Sequence, residues 1–187
     1  MVLPPNKVMS WDQYFINICN VVKLRSPDPS LSVGCVLVSM KNNNIISCGY
    51  NGLKRGISDH IDWSDREFIH SIILHAEINC LLTANNLLNE SLKMYINVSP
   101  CAQCVKLLAS ANVNKIIYLN DYKDIEKVKK LCEFYNIELI KFESEPLDLH
   151  TAKYKKNVVE TLNKHIFVSV AFIFLVSLQL SKFLIWN

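Results

Sequence analysis

Glycine is scarce in this chain, with four in 187 residues, while half of the residues are hydrophobic. That balance excludes wholesale disorder and low-complexity sequence. Strong charge is also missing. The net charge is +3, with Lys and Arg scattered through 187 residues, which is too weak and diffuse for a nucleic-acid-binding surface. The opening Met1-Val2-Leu3-Pro4-Pro5-Asn6-Lys7 has no signal-peptide h-region. Seven cysteines are an odd number, which disfavours an extracellular disulfide framework and fits a reducing cytosol with some thiols held by metal. No internal repeat is visible. The length suits one domain of about 150 residues plus a tail, enough for a real core.

Ser10-Trp11-Asp12-Gln13 reads as a capping box. Behind it Trp11, Phe15, Ile18 and Val22 recur at helical spacing, predicting a helix over 10–24 that ends before Pro27 and Pro29. Cys19 reads as a small packing residue of that helix. Val33 to Met40 and Ile45 to Tyr50 predict a hairpin around Lys41-Asn42-Asn43-Asn44. Residues 53–66 have no clear period. One helix is expected over about 66–86, with Ile69, Ile72, Ile73, Ala76, Cys80 and Leu81 on its buried side. Strands are expected at 94–98, 115–119 and 137–142, and helices at 102–111 and 124–135. Strands alternating with helices after a hairpin predict an α/β fold, a mixed five-stranded sheet with helices on both faces in a three-layer α-β-α sandwich.

Residues 143–164 are polar and lysine-bearing. Ile166 to Ser181 then runs sixteen residues without a charge before Lys182 and Phe183-Leu184-Ile185-Trp186. As a helix, 166–186 is about 30 Å long, enough for a bilayer, with Lys182 and Trp186 suited to an interface. A helix buried in the domain or in an oligomer contact is the alternative. The expected organisation is an N-terminal extension (1–9), a catalytic domain (10–142), a polar linker (143–164) and a hydrophobic C-terminal segment (165–187).

The chemistry is carried by His75-Ala76-Glu77 and Pro100-Cys101-Ala102-Gln103-Cys104. Two thiolates and a neutral imidazole balance Zn²⁺, and a site with three protein ligands leaves a fourth position for water. Cys101 and Cys104 can face one point where a helix begins, and the amides of that helix favour their thiolate forms. Zinc held in this way brings the pKa of its water to about 7. Glu77, two residues beyond His75, lies close to the metal without ligating it and can move a proton from water to a substrate nitrogen. Attack on an amidine-like ring carbon with that proton transfer releases ammonia. The H-x-E and P-C-x-x-C pair is the signature of zinc-dependent nucleobase deaminases. A lone C-x-x-C is more often a structural half-site or a redox pair. A closed structural site needs a fourth ligand, for which His60, His70 and Cys80 are candidates, and a dithiol redox centre leaves His75 and Glu77 without a role.

With these motifs the chain resembles the cytidine and deoxycytidylate deaminase superfamily, and within it the deoxycytidylate deaminases. Trp11-Asp12-Gln13-Tyr14-Phe15, Arg25-Ser26-Pro27-Asp28-Pro29, Val33-Gly34, Gly49-Tyr50-Asn51-Gly52 and Trp63 follow in the order found there. His75-Ala76-Glu77-Ile78-Asn79 and Ser99-Pro100-Cys101-x-x-Cys104-Val105-Lys106 complete the series, over about residues 10–142. Ser32-Val33-Gly34-Cys35 departs from the commoner Gln-Val-Gly-Ala. The tRNA adenosine and riboflavin-pathway deaminases share the zinc motif but not the Arg-Ser-x-Asp-Pro and Gly-Tyr-Asn-Gly stretches. The resemblance implies a cytidine-deaminase-like fold, zinc held by His75, Cys101 and Cys104, and Glu77 as proton shuttle. It implies substrate contacts from Asn51 (sugar 3′-hydroxyl), Tyr122, Arg25 (a phosphate), and the backbones of Ala76 and Ser99 (the cytosine edge). It further implies dCMP as substrate, dCTP and dTTP as effectors, and a homo-oligomer; the alternatives are a deaminase of another cytosine nucleotide or nucleoside or of a nucleic-acid base, or a catalytically silent deaminase-like module that binds nucleotides.

Overall fold

In the computed structural model, residues 8–54, 56–57, 61–84 and 90–143 are described. Helix α1 spans Trp11–Val22 and runs into a 3₁₀ turn at Lys23–Arg25. The Ser10 hydroxyl accepts from the Gln13 N–H at 3.2 Å, so half of the capping box forms. The other half does not: Gln13 Nε2 donates to Asn17 Oδ1, one helical turn on, because an exposed glutamine finds a partner there at i+4.

Strands β1 (Gly34–Ser39) and β2 (Ile45–Tyr50) form the expected hairpin. Strands β3 (Leu92–Val98), β4 (Val113–Asn120) and β5 (Glu138–Lys141) complete a five-stranded sheet in the order β2-β1-β3-β4-β5. β1 is antiparallel to both neighbours, while β3, β4 and β5 are parallel. Helix α4 (Ala102–Ser110) connects β3 to β4, and α5 (Ile125–Phe134) connects β4 to β5. Both crossovers move the chain the same way along the sheet, so their fixed handedness puts both helices on one face.

Alternating side chains of the central strands serve the two faces. Cys35, Leu37, Met94, Ile96, Ile116 and Tyr118 share a core with Ala76, Cys80, Val105, Leu108, Val128 and Cys132 from the helices. Val36, Val38, Tyr95 and Ile117 pack on Phe15, Ile16 and Cys19 of α1. The Tyr95 hydroxyl donates to Asp12 at 2.5 Å and ties α1 to the sheet. The α/β three-layer arrangement with a mixed five-stranded sheet is therefore the observed one.

Residues 66–86 depart from expectation. Instead of one helix there are two, α2 (Arg66–Ile72) and α3 (Ala76–Thr83). The chain leaves the helix at Ile73, where ψ is 131°. Leu74 then makes an antiparallel bridge to Gly52, with N–H to O distances of 2.9 and 3.0 Å. The backbone groups that a continuous helix would satisfy internally are satisfied by Gly52 instead, and the β-branched pair Ile72-Ile73 makes leaving the helix inexpensive.

The scarcity of glycine shows in where the chain turns. Left-handed backbone occurs at Asn43, Asn112, Asp124 and Asn136, with only Gly56 besides among the described residues; Asn and Asp tolerate that region better than other side chains. Two glycines serve close approach instead. A Cβ on Gly34 would lie 2.4 Å from Cys19 O, and one on Gly49 would lie 2.3 Å from Ala76 O and 2.5 Å from Cys80 N. Gly49 is thus where the backbone of α3 rests on β2.

The linker and hydrophobic segment expected at 143–164 and 165–187, and with them the bilayer span at 166–186, lie outside the described residues from position 144 onward. No helix among the described residues is long and apolar enough to cross a membrane. Replacing Gly49 tests the seating of α3. Gly49→Ala is expected to cost about 1–3 kcal/mol by overpacking. Gly52→Ala, whose Cβ would meet nothing closer than 3.4 Å, should cost less; urea denaturation of the two variants decides.

Candidate active site

The break between α2 and α3 places His75 at the N-cap of α3, with φ −66° and ψ 155° and no side-chain capping bond. Cys101 holds the same position on α4, with φ −80° and ψ 166° and again no side-chain cap. Residues that normally cap helices spend an oxygen on the first-turn amides. Here a nitrogen and a sulfur stand at those positions with their electron pairs kept for a metal. Both helix N-termini point at the same place, and their positive ends favour thiolates.

His75 Nδ1 lies 3.5 Å from Cys101 Sγ and 3.4 Å from Cys104 Sγ, and the three ligand atoms all fall within 4.8 Å of one another. A tetrahedral zinc bound to nitrogen at about 2.0 Å and sulfur at about 2.3 Å would separate the two by about 3.5 Å. The donor set therefore fits zinc through Nδ1, which leaves the proton of the imidazole on Nε2. Among the described residues these three are the whole cluster. Cys80, a candidate fourth ligand, instead meets Ser47 Oγ at 3.1 Å in the core, and His70 is an exposed residue lining the mouth of the adjoining cavity. His60 lies outside the described residues. A zinc held by these three described residues would keep one coordination position for water.

Electrostatics suit metal capture. Cys101 is pulled down to about 3, first by the hydrogen bond from the Cys104 thiol and then by that from His75, despite its partial burial. Cys104, the donor of that bond and buried, is pushed up, so zinc binding must release its proton. His75 is raised by its bond to Cys101. Glu77, on the first turn of α3, is 4 % exposed, and burial raises its carboxyl above the ordinary range. A carboxyl raised in this way is a stronger proton acceptor than an ordinary exposed one.

The cluster opens onto a cavity of about 250 Å³ lined by His75, Ala76, Glu77, Ser99 and Cys101 at the metal end, and elsewhere by Asp28, Ser30, Leu31, Val33, Asn51, Arg66, His70, Ile73, Val98, Tyr122 and Lys123. Of the residues singled out in the sequence, Asn51, Ala76, Ser99 and Tyr122 line this cavity. Arg25 does not. It is exposed at the end of the 3₁₀ turn and absent from the lining.

Asn51 is buried, and its amide holds the loop before β1. Oδ1 accepts from Val33 N at 2.8 Å and Nδ2 donates to Leu31 O at 2.8 Å. Ser99 accepts from Tyr122 N at 2.8 Å through its hydroxyl, while its own N–H donates to Asn120 O at 2.8 Å. Of its backbone groups Ser99 thus has only the carbonyl left to meet a ligand, whereas Ala76, first residue of α3, has an N–H without an intrahelical acceptor. The pair offers one acceptor and one donor.

Sequence reading missed the Asp28–Arg66 pair. Arg66 Nη1 and Nη2 reach Asp28 Oδ1 and Oδ2 at 3.1 and 3.2 Å, and Asp28 Oδ1 also accepts from Ser30 N and Oγ. Burial pushes the Asp28 carboxyl up, but the bonds from Arg66 and Ser30 outweigh it and hold the carboxyl below the ordinary range. The only available signal was Asp28 between two prolines; nothing local marks Arg66 as its partner 38 residues on.

Comparison with known proteins agrees with this geometry. The family model described as the cytidine and deoxycytidylate deaminase zinc-binding region matches residues 9–120. The deoxycytidylate deaminase of Mus musculus is 28 % identical over 159 residues, covering 81 % of this chain and 86 % of that protein. A probable deoxycytidylate deaminase of Caenorhabditis elegans is 33 % identical over 117 residues, covering 60 % of this chain and 59 % of that protein. Among solved structures, the dCMP deaminase of cyanophage S-TIM5 in complex with dCMP and dUMP superimposes with a TM-score of 0.60 at 25 % identity, over 75 % of this chain and all of that one.

Metal analysis of the purified protein should give about one zinc per chain, and His75→Ala, Cys101→Ser or Cys104→Ser should each lose most of it. For Asp28, a depressed native pKa contributes stability that is present above the unfolded value of 3.8 and lost as pH falls through the lower native value. Asp28→Asn should therefore be less stable than wild type at pH 7, and the gap should close as acid is added below about pH 4; thermal melts across pH check this.

Proposed function

Because the chain belongs to the cytidine and deoxycytidylate deaminase family, we propose that it is a zinc-dependent aminohydrolase converting dCMP to dUMP and ammonia. The observation that carries this is the buried Glu77 carboxyl, which lines one cavity with His75 and Cys101 of the three-ligand cluster. The similarity to the mouse enzyme and to a phage enzyme solved with dCMP and dUMP supports the choice of nucleotide.

When bound, the zinc supplies a water made acidic enough to react near neutral pH. The chain's own residues do the rest. The Ala76 N–H donates to the acceptor edge of cytosine, and the Ser99 carbonyl accepts from its 4-amino group. Glu77 takes one proton from the water and delivers it to the ring nitrogen, then takes the second from the new C4 hydroxyl and delivers it to the departing amine. The C4–N bond breaks, a C4–O bond forms, and water's protons leave on the ring and on ammonia. Tyr122 closes the side of the pocket, positioned by its N–H bond to Ser99. Asn51 keeps the loop before β1 in shape, and a second lone pair on its Oδ1 remains for a sugar hydroxyl.

This reading extends to a homo-oligomer responsive to dCTP and dTTP, supported by the family resemblance. It extends to a catalytic domain over 10–142 and to a C-terminal anchor over 166–186, supported by the uncharged run there.

Ammonia release from dCMP, dCTP, deoxycytidine and CMP, with and without dCTP as effector, tests the substrate. dCMP is expected to turn over fastest, and a faster competitor would contradict the assignment. Glu77→Gln should keep its zinc while kcat falls by ~10²–10⁴-fold.

A further inference from the structure

The proposed reaction uses the metal end of the cavity and leaves its mouth unexplained. Three basic side chains of the lining are exposed or half-exposed and mark its solvent side, Arg66, His70 and Lys123. Its one carboxylate is Asp28, already paired with Arg66; the cavity's other carboxylate, Glu77, belongs to the metal end. The mouth therefore carries net positive charge and favours an anion.

Arg66 is the member of this group held in place. Its side chain is 34 % exposed, against 5 % for Asp28, so it sits with its back to a buried carboxylate and its front toward solvent and the cavity. Among the described residues its bonds to Asp28 take two of the five guanidinium N–H groups, leaving three for a second acceptor. Asp28 is itself fixed by Ser30 N and Oγ at 2.9 and 2.7 Å, which ties the guanidinium to the loop before β1. Such a preorganised fork loses little freedom when it binds a phosphate and matches that group's geometry. Position fits as well. Arg66 opens α2 and lines the same cavity as His75, Ala76 and Glu77 at its metal end.

We infer that Arg66, oriented by Asp28, is the residue through which this chain recognises the phosphate of a nucleoside monophosphate, in place of the exposed Arg25. The inference rests on the proposed deamination of a nucleotide and adds the residue that tells nucleotide from nucleoside. Asp28 is a positioning residue and acts only through Arg66.

The test is binding, which does not depend on turnover: the affinities of the zinc-loaded protein and its variants for dUMP and for deoxyuridine, measured by calorimetry. The wild type should prefer dUMP, and in Arg66→Ala that preference should shrink by on the order of 10–100-fold, as expected for loss of a hydrogen-bonded charge pair. Arg66→Lys, which keeps the charge but cannot form the fork, should retain part of the preference and carries the test if Arg66→Ala melts at low temperature. Asp28→Asn should weaken dUMP binding more than deoxyuridine binding. Equal losses for both ligands in Arg66→Ala would mean a purely structural role and would overturn the inference, as would a preference lost in Arg25→Ala and kept in Arg66→Ala. A wild type that binds dUMP tightly through Arg66 yet releases no ammonia from dCMP would sink the proposed reaction and leave this assignment standing.

Discussion

The structure depends on bringing two helix N-termini to one point. His75 and Cys101 are 26 residues apart, yet their ligand atoms lie 3.5 Å apart. A metal bridges ligand atoms only at such separations, so the placement of both helices bears on the site. α4 is located by β3, which ends at Val98 and leads through Ser99 and Pro100 to Cys101. α3 is located by contact, with Ala76 and Cys80 lying against Gly49 where no Cβ would fit, and by the Leu74 bridge to Gly52. The interruption of the helix before His75 is thus part of the site. A continuous helix would have left His75 in mid-helix without N-terminal amides beside it.

Around this point, side-chain amides do the work of fixing loops. Asn51 holds Leu31 and Val33, Asn97 holds Ser32 and Gly34, Asn79 donates to Tyr50 O and Asn120 to Asn97 O. Each joins backbone from a different element, so the cavity wall is cross-linked by short bonds between groups buried or half-buried. Such bonds are costly to leave unmade, which makes the pocket rigid before any ligand enters. Rigidity suits a reaction in which one carboxyl must reach both a water and a ring nitrogen.

What was legible in the sequence follows from how far apart the interacting residues are. The metal centre is encoded in two short stretches, and chemistry alone limits what His-x-Glu and Cys-x-x-Cys can do together. The strands were legible from their apolar runs, although β3 and β4 begin two residues earlier than expected, at Leu92 and Val113. The break between α2 and α3 was hidden because the apolar spacing of Ile69, Ile72, Ile73, Ala76 and Cys80 runs straight through it. Only the bridge to Gly52, more than twenty residues away, reveals it. The Asp28–Arg66 pair was hidden for the same reason. Arg25, picked out by resemblance, stands exposed and outside the cavity lining, whereas Asn51 lies within it with its amide turned to the neighbouring loop.

The account's central claim is that His75, Cys101 and Cys104 hold zinc with one coordination position open beside Glu77. X-ray absorption at the zinc edge of the metal-loaded protein tests it most directly. The expected result is two sulfur scatterers at about 2.3 Å, one imidazole nitrogen at about 2.0 Å, and one further light atom from solvent. A shell closed by four protein ligands, with a third sulfur or a second imidazole, would contradict it and make the site structural.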